Sequence, residues 1–167
     1  FLQGCHKLGS EHYAQSLTAD DSALVELVFG VTDNEGGSFR AQVTGARAAV
    51  VPGTATGTAP DASRVLFEQS LNHPGEGLQW FTINPNVAAS VGDIYFLNLN
   101  AFGETLSGAS VRTTFVSDQY AGGEFIFSNT DSDLSNSLSW SDALSNQDFA
   151  IRAVFDDGGP QEVPVPA

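Results

Sequence analysis

Apolar and polar side chains alternate along many short segments of this chain, and that period of two confines it to β-structure. The stretch Gly77–Phe102, GLQWFTINPNVAASVGDIYFLNLNAF, carries two apolar runs, Leu78–Ile83 and Ile94–Phe102, parted by a Pro/Asn/Ala/Ser/Gly turn region. Successive side chains of a strand point to opposite faces. Tyr95, Leu97 and Leu99 therefore share one face, and Phe96, Asn98, Asn100 and Phe102 the other. Both runs are short and rich in aromatic and β-branched residues, which favours strands over helices. They are expected to be neighbouring core strands.

The same pattern recurs along the chain. Ala23–Thr32 sets Ala23, Val25, Leu27, Phe29 and Val31 against Leu24, Glu26, Val28, Gly30 and Thr32, and the wholly apolar first set is expected to face the core. Asp33-Asn34-Glu35-Gly36-Gly37 is a turn rich in residues that tolerate positive φ. Ser38–Ala46 is expected to pair back as a hairpin, with Phe39, Ala41 and Val43 inward and Arg40, Gln42 and Thr44 outward. Val50–Ala62 is small, polar and Pro/Gly-rich, and reads as a loop crossing between sheets. Further strands fall at His12–Ala19, Arg64–Leu71, Ser110–Val116, Glu124–Ser128, Ser137–Asp142 and Asp148–Asp157. No long amphipathic helical stretch separates them, which disfavours a parallel βαβ fold. The reading is all-β: a jelly-roll-like two-sheet antiparallel β-sandwich of about ten short strands with no major helix. Residues 12–157 would form the sandwich, residues 1–11 an N-terminal arm or processed remnant, and residues 158–167, GGPQEVPVPA, a linker.

Charge narrows the partners. Twenty acidic residues against six basic ones give a net charge of −14. Nucleic acid and anionic membrane surfaces both need cationic contacts, so neither is an expected partner. Exposed carboxylates gain from divalent cations, which makes Ca²⁺ the cofactor to consider. A hydrophobic fraction of 41% suffices for a core. Cys5 stands alone and cannot form an internal disulfide, and no Cys/His metal spacing occurs. No apolar run approaches the roughly 20 residues of a transmembrane helix.

The C-terminal Val163-Pro164-Val165-Pro166-Ala167 resembles the sorting motif of exosortase-processed bacterial surface proteins, the PEP-CTERM class and its VPxPA variant. Ser16-Leu17-Thr18-Ala19-Asp20, Trp80–Asn84 followed by Gly92–Leu97, Tyr120-Ala121-Gly122-Gly123 and Asp148-Phe149-Ala150-Ile151-Arg152 look like the sandwich domains found ahead of such signals. The resemblance implies export, to the cell surface or extracellular space of a Gram-negative, polysaccharide-producing bacterium. It implies location more than activity.

Three groups of side chains are candidates for binding. Asp131–Asp142, DSDLSNSLSWSD, spaces oxygen ligands at Asp131, Asp133, Ser135, Ser137, Ser139 and Asp142, echoing a calcium loop. Asn136 stands where the turn glycine belongs and Asp142 where a bidentate Glu belongs, so a solvated acidic turn is the plainer reading. Asp20 and Asp21 follow the first strand, and Asp156 and Asp157 end the last. If those strands lie side by side, the two pairs converge on one Ca²⁺; otherwise they are independent turns. Trp140 and Tyr120 are candidates for an exposed sugar-stacking platform, whereas Trp80 is expected in the core. Arg40, Arg112 and Arg152 fall on outward faces, where cross-strand ion pairs suffice to explain them.

No nucleophile–base motif is present, and His6, His12 and His73 stand in none, so the expectation is not an enzyme. The expected role is a non-catalytic exported surface or matrix protein that meets its own kind by strand addition. The alternative is a carbohydrate-binding module, with Ca²⁺ as an optional partner and extracellular polysaccharide as ligand.

Overall fold

A computed structural model describes residues 6–7, 12–51, 57–101, 103–106, 110–111, 115–117, 123–128, 140–142 and 147–156. Its strands are β1 (His6–Lys7), β2 (His12–Thr18), β3 (Ala23–Asp33), β4 (Gly37–Ala48), β5 (Thr58–His73), β6 (Gly77–Ile83), β7 (Val87–Ala88), β8 (Ile94–Asn100), β9 (Ser110–Val111), β10 (Phe115–Ser117), β11 (Phe125–Ser128), β12 (Ser141–Asp142), β13 (Gln147–Phe149) and β14 (Ile151–Asp156). There is no helix among the described residues. Two sheets dominate. The larger has six strands in the order β12-β11-β2-β8-β4-β5. The smaller has β14, β3 and β6 side by side, with β7 also paired to β3. Every pairing within them is antiparallel. Short pairs β1–β9 and β10–β13 stand apart from these sheets. The fold is thus the two-sheet antiparallel sandwich that the alternation implies.

The core lies between the layers. Tyr13, Leu17, Phe39, Ala41, Val43, Leu97 and Leu99 of the large sheet meet Leu24, Leu27, Phe29, Val31 and Ile83 of the small one. Phe81 of β6 packs edge-on against Phe39 of β4, with ring centroids 5.1 Å apart, and stacks on Phe29 of β3 at 6.0 Å. Such pairs add to the area they bury because ring edges and faces carry opposite partial charge. Tyr95, Leu97 and Leu99 face inward as the alternation requires.

Neighbour relations differ from the sequence reading in four places. β6 and β8 are not adjacent strands; they belong to different sheets. β4 does not pair with β3. Instead it pairs with β5 and β8, so the turn after Asp33 carries the chain from one layer to the other. The Val50–Ala62 segment does not cross between sheets: Ala48 pairs with Thr58 and the Ala49 N–H donates to the Gly57 carbonyl, closing a β4–β5 hairpin. The first strand, β2, and the last, β14, lie in different sheets. Pairing partners are set by contacts distant in sequence, which period-two patterning does not encode.

Bulges reset side-chain phase on β3 and β5, and a further register shift falls between Thr44 and Ala46 of β4. Val154 sits opposite Glu26 and Phe155 opposite Leu24, leaving Val25 as the extra residue. Beyond it the inward set switches: Leu24 is fully buried, while Ala23 and Val25 are only half-buried. On β5, Phe67 sits opposite Val43 and Val65 opposite Thr44, so Leu66 bulges out and both Val65 and Leu66 are exposed.

The layers are also tied at one end. The Asp33 carboxylate, 2% exposed, accepts the Gly36 N–H at 2.6 Å and the Glu35 N–H at 3.3 Å, fixing the first turn. The second turn, Pro74–Glu76, lies directly against it. Gly36 and Gly75 both have positive φ, 79° and 80°, and a Cβ on Gly75 would come within 2.8 Å of the Glu35 backbone. Only glycine meets both demands, for it pays nothing for positive φ and adds no bulk. Buried His73 joins the sheets there. Its Nδ1 accepts the Gly75 N–H at 3.0 Å, which leaves Nε2–H to donate to the Val31 carbonyl at 3.1 Å.

Burial sets the expected cost of truncation. Leu97→Ala removes a side chain of zero exposure from the middle of the core and should lower stability by about 2–5 kcal/mol in urea unfolding. Leu78→Ala, at a position 41% exposed, should cost well under that, about 1 kcal/mol or less.

Candidate functional site

Two surfaces stand out, and neither is the one the sequence singled out. The first is the outer edge of the large sheet. Among the described residues β5 is its last strand, paired with β4 on one side only. From Phe67 to His73 the pairing is regular. Phe67 and Leu71 turn toward the core, and Gln69, on that same side opposite Ala41, is exposed. Glu68, Ser70 and Asn72 lie on the outward side. This run contains no lysine and no proline, the residues that commonly block a free edge. Its single carboxylate, Glu68, is engaged sideways: the Gln42 amide donates to it at 2.6 Å, and Arg40 Nε lies 3.8 Å away.

A polar chain runs inward from that edge. Asn100 Nδ2 donates to Gln42 Oε1 at 3.2 Å, and Gln42 in turn donates to Glu68. Arg40 Nε also lies 3.8 Å from Glu104, which accepts the Ser70 hydroxyl at 2.9 Å. The Glu104 loop is pinned to β4 by Leu106 N–H to the Ser38 carbonyl and by Thr105, whose hydroxyl accepts the Ser38 N–H. The Ser38 hydroxyl holds the Glu104 carboxyl below its ordinary range; partial desolvation opposes this, and Ser70 and Arg40 reinforce it.

The second surface is the outer face of the small sheet. Leu78, Trp80 and Thr82 alternate outward on β6, and Trp80 is 59% exposed. Trp80 was expected in the core and is instead on the surface. The run LQWFTI has apolar residues in both phases, and packing of Phe81 and Ile83 decides which phase turns inward. Trp80 lies across from Gly30, Leu78 across from Thr32, and Thr82 across from Val28. Arg152 on β14, opposite Val28, reaches Glu26 at 2.6 Å. The cross-strand ion pairs expected for Arg40 and Arg152 are present.

The other expected positions divide. Trp140 is 6% exposed and packs with Ala14, Val51, Ala59, Phe96 and Ile126 in a second apolar cluster, so it is no stacking platform. The serines flanking it suggested exposure, but they do not report the layer that the chain lays over the back of β8. Tyr120, Asp131, Asp133, Ser135 and Asp157 lie outside the described residues, and of Asp142 only the backbone in β12 is described. Asp156 pairs with Ala23, which brings the end of β14 beside the Asp20-Asp21-Ser22 turn. The neighbour of β14 there is β3, not the first strand. Asp21 Oδ1 accepts the Ser22 N–H at 2.6 Å. No group of three or more His, Cys, Asp or Glu side chains suited to a metal occurs among the described residues.

Because the folded-state pKa of Glu104 is lowered from its ordinary 4.5, its stabilising contribution is present above that pH and is lost as pH falls through the lower folded value. Glu104→Gln should therefore destabilise the protein at pH 7 and flatten the fall in stability below about pH 4.5, as read by urea midpoints across pH. No protein-family model, no curated protein and no solved structure matched the chain.

Proposed function

We propose that the chain is an exported, non-catalytic surface or matrix protein that associates with copies of itself through the edge strand β5. The observation that carries this reading is the regular Phe67–His73 edge, which no strand pairs among the described residues. An unpaired edge offers a row of backbone N–H and C=O groups, and a second strand gains affinity from main-chain hydrogen bonds and register from alternate side chains. Phe67 and Leu71 supply apolar neighbours for such a strand. Export rests on the resemblance of the Val163–Ala167 tail to exosortase sorting motifs.

The net charge of −14 works against association between copies. Repulsion between exposed like charges is screened by salt and by divalent cations, which gives Ca²⁺ a role as counter-ion without requiring a built site.

Size-exclusion chromatography with light scattering, run with Ca²⁺ and then with chelator, tests the reading. Oligomers or fibres should grow with protein concentration and with Ca²⁺ or salt. Gln69→Lys puts a charge on the inward side of the edge and should weaken association at least tenfold, about 1.4 kcal/mol, while leaving the circular dichroism spectrum unchanged. A chain that stays monomeric at every concentration, with or without Ca²⁺, ends the proposal.

A further inference from the structure

The outer face of the small sheet is built differently from the β5 edge and lies on the other layer. Trp80 is more than half exposed, and among the described residues its indole N–H donates to no protein group and its ring stacks on none. It stands across from Gly30, which has no side chain and is itself buried. Leu78 extends the apolar strip one step along the same face, and exposed Thr82 supplies a hydroxyl at its margin, whereas the Thr32 hydroxyl is buried. Beside Trp80, the charges of Arg152 and Glu26 neutralise each other at 2.6 Å. The described part of this face is therefore aromatic at its centre and hydroxyl-bearing at its rim, with its one cation paired and a carboxylate, Asp156, at the far end of β14.

We infer that this face is a saccharide-binding platform centred on Trp80, and that its ligand is a neutral chain of pyranose rings with equatorial hydroxyls. A pyranose of that kind turns its axial C–H bonds to the two faces of the ring. Those weakly positive hydrogens are attracted to the electron-rich face of an indole. Its hydroxyls lie in the ring plane, within reach of donors and acceptors around the aromatic centre: the free Trp80 N–H, Thr82 and the Arg152–Glu26 pair. Charge selects among stacking ligands. Nucleobases bring phosphates, and uronate chains bring carboxylates; both are repelled by a chain of net charge −14 whose one cation on these strands, Arg152, is already paired. A bilayer would require cationic side chains around the Trp and Leu, and none but Arg152 is present on these strands. A single ring platform of this size binds weakly on its own, so useful retention comes from many sites engaging one polymer.

Affinity electrophoresis and tryptophan fluorescence of the full chain test the inference, performed in the Gln69→Lys background so that failure of edge association and failure of saccharide binding stay distinguishable. The probes are hydroxyethylcellulose and laminarin as neutral β-glucans, polygalacturonate as an anionic chain, and phosphatidylcholine vesicles. The chain should be retarded by at least one neutral glucan. Because Trp140 is buried, protection of fluorescence from acrylamide reports chiefly on Trp80. Trp80→Ala should lose binding at least tenfold with an unchanged urea midpoint, and Trp80→Phe should retain part of it. Equal binding by Trp80→Ala, no retardation by either neutral glucan, or binding only to polygalacturonate or vesicles would each overturn the assignment.

Discussion

β8 has water on neither face, and the rest of the molecule is arranged to make that so. Leu97 and Leu99 close against the small sheet, Tyr95 is buried on the same side of the strand, and Phe96, Asn98 and Asn100 are buried on the back. A strand buried on both sides needs a partner along each edge and a layer above and below. β2 and β4 supply the edges, each antiparallel to it. β3 and β6 contribute the inner layer, and a smaller cluster of Val51, Ala59, Trp140 and Ile126 closes over Phe96 on the back.

That second burial explains the polar side chains that would otherwise look misplaced. Asn98 is fully buried, and its amide donates to the Thr44 hydroxyl at 3.1 Å. Asn100 donates to Gln42, and Gln42 to Glu68. A buried polar group without a partner costs more than a paired one gains; the Asn98 N–H₂ group is paired, while its Oδ1 has no partner among the described residues. The same chain of bonds reaches Arg40, Glu104 and Ser70 at the β5 edge. Side-chain order in the middle of the sheet is thereby coupled to the edge through which association is proposed.

The two sheets divide the work. The large one carries both apolar clusters and ends in the β5 edge. The small one covers the core with one face and leaves Trp80, Leu78 and Thr82 on the other. At the far end, the glycine-on-glycine contact of the two turns and the doubly bonded His73 fix how the layers sit. Surfaces on opposite layers can engage different partners at once, which suits the contact role proposed for the chain.

The sequence by itself determined the class of structure. Alternation forces strands wherever an apolar set would otherwise face water, and it correctly turned Leu97, Leu99, Phe39 and Val43 inward. It also marked Arg40 and Arg152 as ion-pair residues. It could not choose between phases where both were apolar, as in Leu78–Ile83, so the exposure of Trp80 was out of reach. Nor could it see Trp140 being covered, since burial there depends on Phe96 and Val51, both far away in the chain. Strand neighbours, the Val25 and Leu66 bulges and the approach of Asp156 to the Asp20-Asp21 turn were likewise decided only by tertiary structure. Local pattern fixes which side of a strand is apolar. Which strand lies beside it is settled by long-range packing, where hydrogen-bond pairing and close contact among distant residues must be satisfied together.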